Sequence, residues 1–558
     1  MNQKRYLIKG TLLLTVMGLL ARLAGFFYKI FLSRTIGAAQ IGLYQLAVPV
    51  YSAGIALCGG GVQSAISKLV AEQYAKNSPS GAKRVLSAGL LLSVSLSLLA
   101  WAAIYGCSSW IARIFLFESS CSNLLKLMAF SLPFQMVSSC SCGYFMGAKR
   151  LTPPALAQLV EQTARIFSVI LVVSLCTKKG GQPGASVMAL GQLTGEIVSA
   201  VYCIGSVFYY RQKKSSRRTI QQIILRRSRM RGEDRQVSLS SSPLSVLHRS
   251  KRKCNPWFTE KWHPVAAAIR AILTISVPLA LNRILMCILQ MAEAALLPQM
   301  LRSAGHSSVS SLSAYGTLTG MALPMILFPT AVTSALGLLL LPAISEAQVL
   351  GQKGQLRSTA NAAFTGGLLL GSFCMGAFLL FGETLGSTVF HNELAGVYIR
   401  RLAFLCPLFY LSGSMMSILH GLGKSTLLLL WNLIGYSLRL LCIVLLVPVI
   451  GMNGYLYGLL LDQLLLTMCI LTFLHHLDAL DVPLADAITR SFLPAILGSG
   501  ASIAFLTIFG QKIPALASLL LGGGIYCIIF LLCVLKQMQP VFHLPAKFHS
   551  ARVPHSRS

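Results

Sequence analysis

The sequence predicts an all-α polytopic membrane protein with fourteen transmembrane helices, arranged as two parallel six-helix lobes around a central cavity plus a C-terminal helix pair. Three observations predict it. Of 558 residues only 11% are charged and 55% are hydrophobic, against about 25% charged in soluble domains, so a conventional aqueous surface is excluded. Continuous apolar runs long enough to cross a bilayer, about 20 residues each, recur along the chain, whereas barrel strands alternate over about 10. The two halves of the chain also repeat one another at a nearly constant offset. The net charge of +32 suits a nucleic-acid protein in sign, but the apolar content does not.

In chain order the spans are expected near 11–31, 43–65, 85–106, 122–145, 154–175, 186–209, 268–297, 316–341, 358–381, 397–419, 425–447, 453–475, 486–508 and 514–535. The first follows Lys4, Arg5 and Lys9 as a secretion signal does, but it is too long and lacks a small-residue cleavage site, so it reads as a retained helix. Lys and Arg concentrate in the loops on the amino-terminal side even when the segment 210–264, which holds 15 of them, is set aside. The positive-inside rule then places both termini in the cytoplasm and the chain in the plasma membrane. The expected division is a first six-helix lobe over 1–209, a basic cytoplasmic linker over 210–264, a second lobe over 265–480, helices 13 and 14 over 481–538, and a cytoplasmic tail over 539–558. The linker is rich in Ser, Arg and Lys and reads as a tether drawn to anionic headgroups, with partner docking as the alternative.

The repeat aligns Pro49 with Pro324, Glu72 with Glu346, Gly81 with Gly354, Gly147 with Gly421, Thr152 with Thr426 and Arg165 with Arg439, at offsets of 273 to 275. Span 2 thereby corresponds to span 8 and span 5 to span 11. A shift of six spans preserves orientation, so the repeat is parallel, about an axis along the membrane normal. Two such lobes can rock and expose a cavity to each side in turn.

A charge at mid-bilayer costs on the order of 3 kcal/mol and is kept where it faces a cavity or a partner. Eight sit well inside spans: Arg22, Glu161, Arg165, Glu196, Arg283, Glu293, Arg439 and Asp462. Arg22 and Arg283 lie on the first helix of each lobe without an acid at helical spacing, and with Arg439 they are the candidate contacts for an anionic cargo. Arginine forks match phosphate oxygens two at a time. Glu161 and Arg165, four apart on one helix face, read as a structural pair, while Glu196, Glu293 and Asp462 are either pair partners or carriers of a coupling ion. Lys29, Lys126 and Arg270 stand near span ends and are expected to snorkel.

No nucleophile, base and orienting group can be assembled, so no enzyme is expected, and neither a metal nor a cofactor site is apparent. Gly421, Gly423, Lys424, Ser425 and Thr426 imitate the end of a phosphate-binding loop, but Ile418 stands where that motif needs glycine. The 15 cysteines are scattered, mostly within spans; Cys107 and Cys121 flank one external loop and are a candidate bridging pair.

The stretch GLLARLAGFFYKIFLSRTIGAAQIGLYQLAVPVYS at 18–52, AISKLVAE at 65–72 and NRILMCILQMAEAALLPQ at 282–299 resemble the stage V sporulation protein B family, in the polysaccharide and oligosaccharidyl-lipid exporter superfamily, which is similar to the lipid II flippases. The resemblance implies that a lipid-linked peptidoglycan precursor is turned over to the outer leaflet by alternating access during spore cortex synthesis, with helices 13 and 14 forming a groove for the lipid tail. It puts Arg22 where the flippases carry a central-cavity arginine. A second flippase arginine near the start of span 8 has no counterpart, since Tyr315 to Pro324 contains no base, and Arg283 is the expected substitute. The expected partners are a lipid-linked oligosaccharide, membrane lipids and cell-wall synthesis enzymes, with no nucleic acid. Two other functions fit the residues: a cation-coupled exporter working through Glu196, Glu293 or Asp462, and a scaffold recruiting cell-wall enzymes through the 210–264 linker.

Overall fold

A computed structural model describes residues 3–232, 265–509 and 514–542. Their regular structure is entirely helical: α1 Gln3–Thr35, α2 Ala38–Gly59, α3 Val62–Ala75, α4 Pro79–Trp110, α5 Cys121–Phe130, α6 Leu132–Gly147, α7 Thr152–Lys178, α8 Ala185–Gly232, α9 Val265–Ser303, α10 Ser308–Thr317, α11 Leu323–Leu327, α12 Thr330–Val349, α13 Lys353–Val389, α14 Glu393–Leu402, α15 Cys406–Gly421, α16 Ser425–Ile450, α17 Met452–His476, α18 Leu484–Phe509 and α19 Ala515–Phe542. Twelve helical stretches among the described residues are long and apolar enough to cross a membrane. The other two expected spans are broken helices. One is α5 and α6, separated at Ser131 ahead of Pro133; the other runs from α10 through a π-helical turn into α11 and α12, interrupted at Phe328 and Pro329.

Local chemistry explains the breaks. Ser78 caps α4 by accepting a hydrogen bond from the Gly81 amide, with Pro79 in the first turn, where its missing N–H costs nothing. Between α2 and α3, Gly61 has φ +116°, and a Cβ there would lie 2.7 Å from the Leu279 Cβ, so both backbone freedom and close approach require glycine. The repeat is visible in the turns. Helices end in a left-handed residue at Asn77 and Gly351 (φ 54° and 67°), at Phe117 and His391 (53° and 51°) and at Lys149 and Gly423 (58° and 73°), each pair 274 residues apart.

Packing divides the molecule along its length. At the end bearing the turns after α1, α4, α9 and α13, here the distal end, one apolar core joins both lobes through Leu46, Tyr51, Leu132, Leu297, Leu318, Tyr398 and Tyr455. Toward the opposite end, which bears the amino terminus, there are two separate cores: Ile66, Leu69, Val85, Phe145 and Ile272 in the first lobe, and Ile344, Phe364, Met415, Ile418 and Leu474 in the second. The lobes therefore meet at the distal end and part toward the terminal end.

Three contacts hold the distal end shut. A Cβ on Gly42 of α2 would strike the Leu312 carbonyl of α10, and one on Gly316 would strike the Ala38 carbonyl; Gly42 and Gly316 are repeat equivalents. Arg34 at the end of α1 donates to the Val389 carbonyl at 2.8 Å and the Thr388 carbonyl at 2.7 Å. Arg302 at the end of α9 donates to the Phe117 carbonyl at 3.0 Å and pairs with Glu118 at 2.7 Å. Each lobe thus latches onto the other's distal turn.

The sequence assigned α9 to the second lobe, but its first half, with Ala268 and Ile272, belongs to the core of the first. Helices α18 and α19 pack on α13, where Ser372 donates to the Ser491 carbonyl and Tyr526 to the Phe373 carbonyl, both at 2.7 Å. Their outer faces expose leucine and isoleucine, among them Ile496, Leu520 and Leu532. Cys107 and Cys121 are not joined: Cys121 is buried with its thiol toward the Leu43 carbonyl of α2. The expected linker lies outside the described residues from 233 onward, as does the tail from 543.

Candidate functional site

Two facing stripes of side chains build the site. On α1, Arg22, Gly25, Phe26 and Lys29 follow i, i+3, i+4, i+7, and on α7 Gln158, Glu161, Gln162 and Arg165 follow the same spacing, so each set lies on one helix face. The helices pack with Gly18 and Gly25 opposite the glutamines: a Cβ at Gly25 would lie 3.2 Å from Gln162 Nε2, and one at Gly18 3.7 Å from Gln158 Oε1. Both stripes line a cavity of about 820 Å³, completed by Tyr44 and Gln45 of α2, Gln192 of α8, and Thr319, Pro324, Phe328 and Ser334 of the second lobe.

A second cavity of about 430 Å³ shares Arg22, Gln158, Glu161, Ala331 and Ser334 with the first and continues along Gln63, Gln135, Ser138, Ser139 and Ser199. A third, of about 400 Å³, shares Gln63 and Met146 with the second and ends at Lys68 and Lys149, beside the terminal-end turns. Together they form one cleft, apolar in most of its lining but studded with charged and amide side chains, that runs from the middle of the bundle to the terminal end. The cleft is blocked distally by the Gly42–Gly316 crossing.

Every charged side chain lining the main cavity comes from the first lobe: Arg22, Lys29, Glu161 and Arg165. Arg165 pairs with Glu161 at 2.5 Å and approaches the buried Glu196 at 3.8 Å. Glu196 also accepts from Gln192 Nε2 at 2.9 Å, and the Gln135 amide faces it. Glu161 alone balances one of the three lining cations, so the lining keeps a positive excess and a set of amides that both donate and accept hydrogen bonds.

The structure separates the arginines that the sequence grouped. Arg22 lines the cleft. Arg439 does not: it is 7% exposed, 3.0 Å from Glu293 and 3.6 Å from Asp462, with its guanidinium 4.0 Å above the Tyr436 ring. Glu293 in turn accepts from the Tyr455 hydroxyl at 2.6 Å. Two carboxylates occupy its charge, so Arg439 is a buried ion cluster rather than a cavity contact. Arg283 is exposed on α9 and lines none of the cavities described here. The stretch of α9 just before it, Ser276, Leu279 and Ala280, packs on Gly60 and Gly61 between α2 and α3, away from the cavity that Arg22 lines, so the expected Arg22 and Arg283 clamp is not assembled. Lys29, expected to snorkel, instead faces the cavity, because α1 continues to Thr35 and leaves it inside the helix. Gln158, Gln162 and Lys29 were missed as site residues, although the i+3, i+4, i+7 spacing of both stripes was there to be read.

The model of the polysaccharide biosynthesis protein family matches residues 7–228. Stage V sporulation protein B of Bacillus subtilis (strain 168) is 25% identical over 83% of this chain and 83% of its own length, and lipid II flippase MurJ of the same organism is 23% identical over 80% and 78%. Among solved structures, lipid II flippase MurJ in an inward closed conformation superposes with a TM-score of 0.67 at 11% identity, covering 95% of this chain and all of the other. An inward-facing multidrug resistance MATE family transporter superposes at 0.59 with 14% identity, covering 82% and 94%. The resemblance to the stage V sporulation protein B family is borne out, and the chain is a multi-pass membrane protein of the flippase and exporter fold.

Proposed function

We propose that this protein flips a lipid-linked peptidoglycan precursor, or a related polysaccharide-lipid, from the cytoplasmic to the outer leaflet of the plasma membrane by alternating access, in the building of the spore cortex. The terminal end is then cytoplasmic, the distal end external, and all fourteen helical segments cross the membrane. The broken segments at α5–α6 and α10–α12 count as crossings because their repeat partners, α14–α15 and α2–α3, are long apolar spans. Division of the chain at 1–209 and 265–480, with 481–538 and 539–558 beyond them, is part of the same reading, the first half of α9 packing across onto the first lobe.

The observation that carries it is the lining of the cleft. Arg22 and Lys29, seven apart on one face of α1, contact the diphosphate, Arg22 with a two-pronged fork and Lys29 as a point charge. Gln45, Gln158, Gln162 and Gln192 offer paired donors and acceptors to sugar hydroxyls and acetamido groups. Arg165, held by Glu161 and Glu196, has its charge balanced and is not free to follow the cargo. A relative named as a lipid II flippase supports the same reading, and exposed apolar faces on α18 and α19 suit a polyprenyl tail. The excess of cations argues against a cationic drug as cargo. No bond need be made or broken, and Glu293 and Asp462 serve the fold in this reading.

Reconstituted vesicles supply the test. Arg22→Ala and Lys29→Ala are each expected to slow translocation of a lipid-linked diphosphate sugar about tenfold or more, the loss of one charged hydrogen bond. Unchanged rates in both would sink the assignment. Deleting 233–264 separates a flippase from a scaffold, since a flippase keeps vesicle transport without it.

A further inference from the structure

The geometry points to a second anion site, at the cytoplasmic mouth of the cleft: Lys68 of α3 and Lys149 after α6 capture a phosphate or carboxylate group of the cargo before it reaches Arg22. This inference rests on the proposed function and deepens it. Both lysines line the mouth cavity of about 400 Å³, together with Ser64, Ser67 and Gln63. That cavity opens into the main cleft past Gln63 and Met146, so an anion held there is already on the path inward.

Three features separate these lysines from the general run of cytoplasmic bases. They are brought together by a tight crossing, since a Cβ on Gly147 would strike the Ser67 carbonyl and lie 2.8 Å from Val70 Cβ; the end of α6 is pressed onto α3 just beside Lys68. Neither lysine has an ion-pair partner among the described residues, and Glu72, one turn beyond Lys68, makes no ion pair with it. Finally, Lys149 holds φ +58° where its repeat twin Gly423 holds +73°. Glycine is the residue this turn favours, and a lysine there bears a strain that the second lobe avoids. The equivalent of Lys68 is Pro342, so the fold does not require a base at either position and the pair belongs to the first lobe alone.

Mouth, Arg22 and Lys29 then form a ladder of cations. Positive charge at the mouth raises the local concentration of an anionic headgroup and the rate of encounter without holding it through the conformational change. The same phosphate chemistry is offered by anionic lipid headgroups, and the test must distinguish the two sources.

Initial rates of translocation are measured against the concentration of a lipid-linked diphosphate sugar, with the full chain in vesicles of phosphatidylcholine alone and with phosphatidylglycerol added. For Lys68→Gln/Lys149→Gln we expect the apparent KM to rise about tenfold in both lipids, from two weakened contacts at the surface, with the maximal rate within about twofold of the wild type. Lys149→Gly removes the charge while relieving the strain, so it is expected to unfold no more readily than the wild type yet to raise KM, which rules out misfolding as the cause. Lys68→Arg/Lys149→Arg should retain the wild-type KM. An unchanged KM in the glutamine variant overturns the inference, as does a rise confined to vesicles with phosphatidylglycerol, which would assign the lysines to bilayer phosphates. A wild-type chain that moves no lipid-linked diphosphate overturns the proposed function as well; a wild type that moves it beside variants of unaltered KM overturns this inference alone.

Discussion

Arg165 and Arg439 stand at the same position of the repeat, on equivalent helices, and are surrounded differently. In the first lobe the compensating acid comes from the same helix, Glu161 one turn earlier, with Glu196 behind it, and the cluster opens onto the cleft: the Arg165 side chain is 20% exposed and Glu161 25%. In the second lobe the position equivalent to Glu161 is Gly435, and a Cβ there would strike Asp462 Oδ1. Loss of the acid on α16 makes room for an acid from α17, and Glu293 from α9 closes the other side. The same arginine is thus neutralised from two other helices in one lobe and, in the other, paired along its own helix and left facing a cavity. Duplication supplies the charge, and what the neighbouring helices bring decides whether it binds or braces.

Removing the brace is expected to have the largest effect. Arg439→Leu leaves Glu293 and Asp462 facing each other without a cation, at a cost of about 3–5 kcal/mol for a broken buried pair, read as a fall in the thermal unfolding midpoint in detergent. Neutralising all three, with Glu293→Gln and Asp462→Asn added, should restore most of that loss, because the desolvation of the charges disappears with them. An Arg439→Leu protein as stable as the wild type would erase the contrast between the lobes.

Arg22→Ala is expected to leave the unfolding midpoint near the wild-type value, since Arg22 is exposed to the cleft, while weakening cargo contact by about 1.5–3 kcal/mol. Gly435→Ala sharpens the comparison from the other side: the added methyl displaces Asp462, at a cost of about 1–3 kcal/mol for overpacking, whereas Glu161→Ala, at the equivalent position, introduces no clash. Smallest is the distal latch. Arg302→Gln breaks a partly exposed ion pair that contributes about 0.2–1 kcal/mol, so external labelling of a cysteine placed at Thr319 should rise only a few-fold. No change in labelling would mean that the Gly42–Gly316 crossing alone keeps the distal end closed.

How much of this was legible in the sequence depends on range. The helices follow from apolar runs, and the turn geometry at 77, 117 and 149 recurs at 351, 391 and 423, as a duplication demands. The Glu161–Arg165 pair is local and was read as such. Arg439 could not be placed from spacing, because its partners lie on two other helices and only packing brings them together. Arg283 failed for the complementary reason: the face that α9 turns toward the first lobe is set by its contacts with α2 and α4, not by its own sequence. Lys29 is different, since it follows Arg22 by two helical turns; treating each charge by its depth in the span hid the stripe they form together.

The most direct measurement compares two proteins in one vesicle assay of lipid-linked diphosphate translocation: Arg22→Ala, and the neutral second-lobe variant Glu293→Gln/Arg439→Leu/Asp462→Asn, held below its unfolding temperature. If the first lobe carries the cargo and the second braces the fold, Arg22→Ala loses about tenfold or more of the rate while the neutral variant stays within about twofold of the wild type. A folded neutral variant that has lost transport, beside an Arg22→Ala protein that keeps it, would contradict that division.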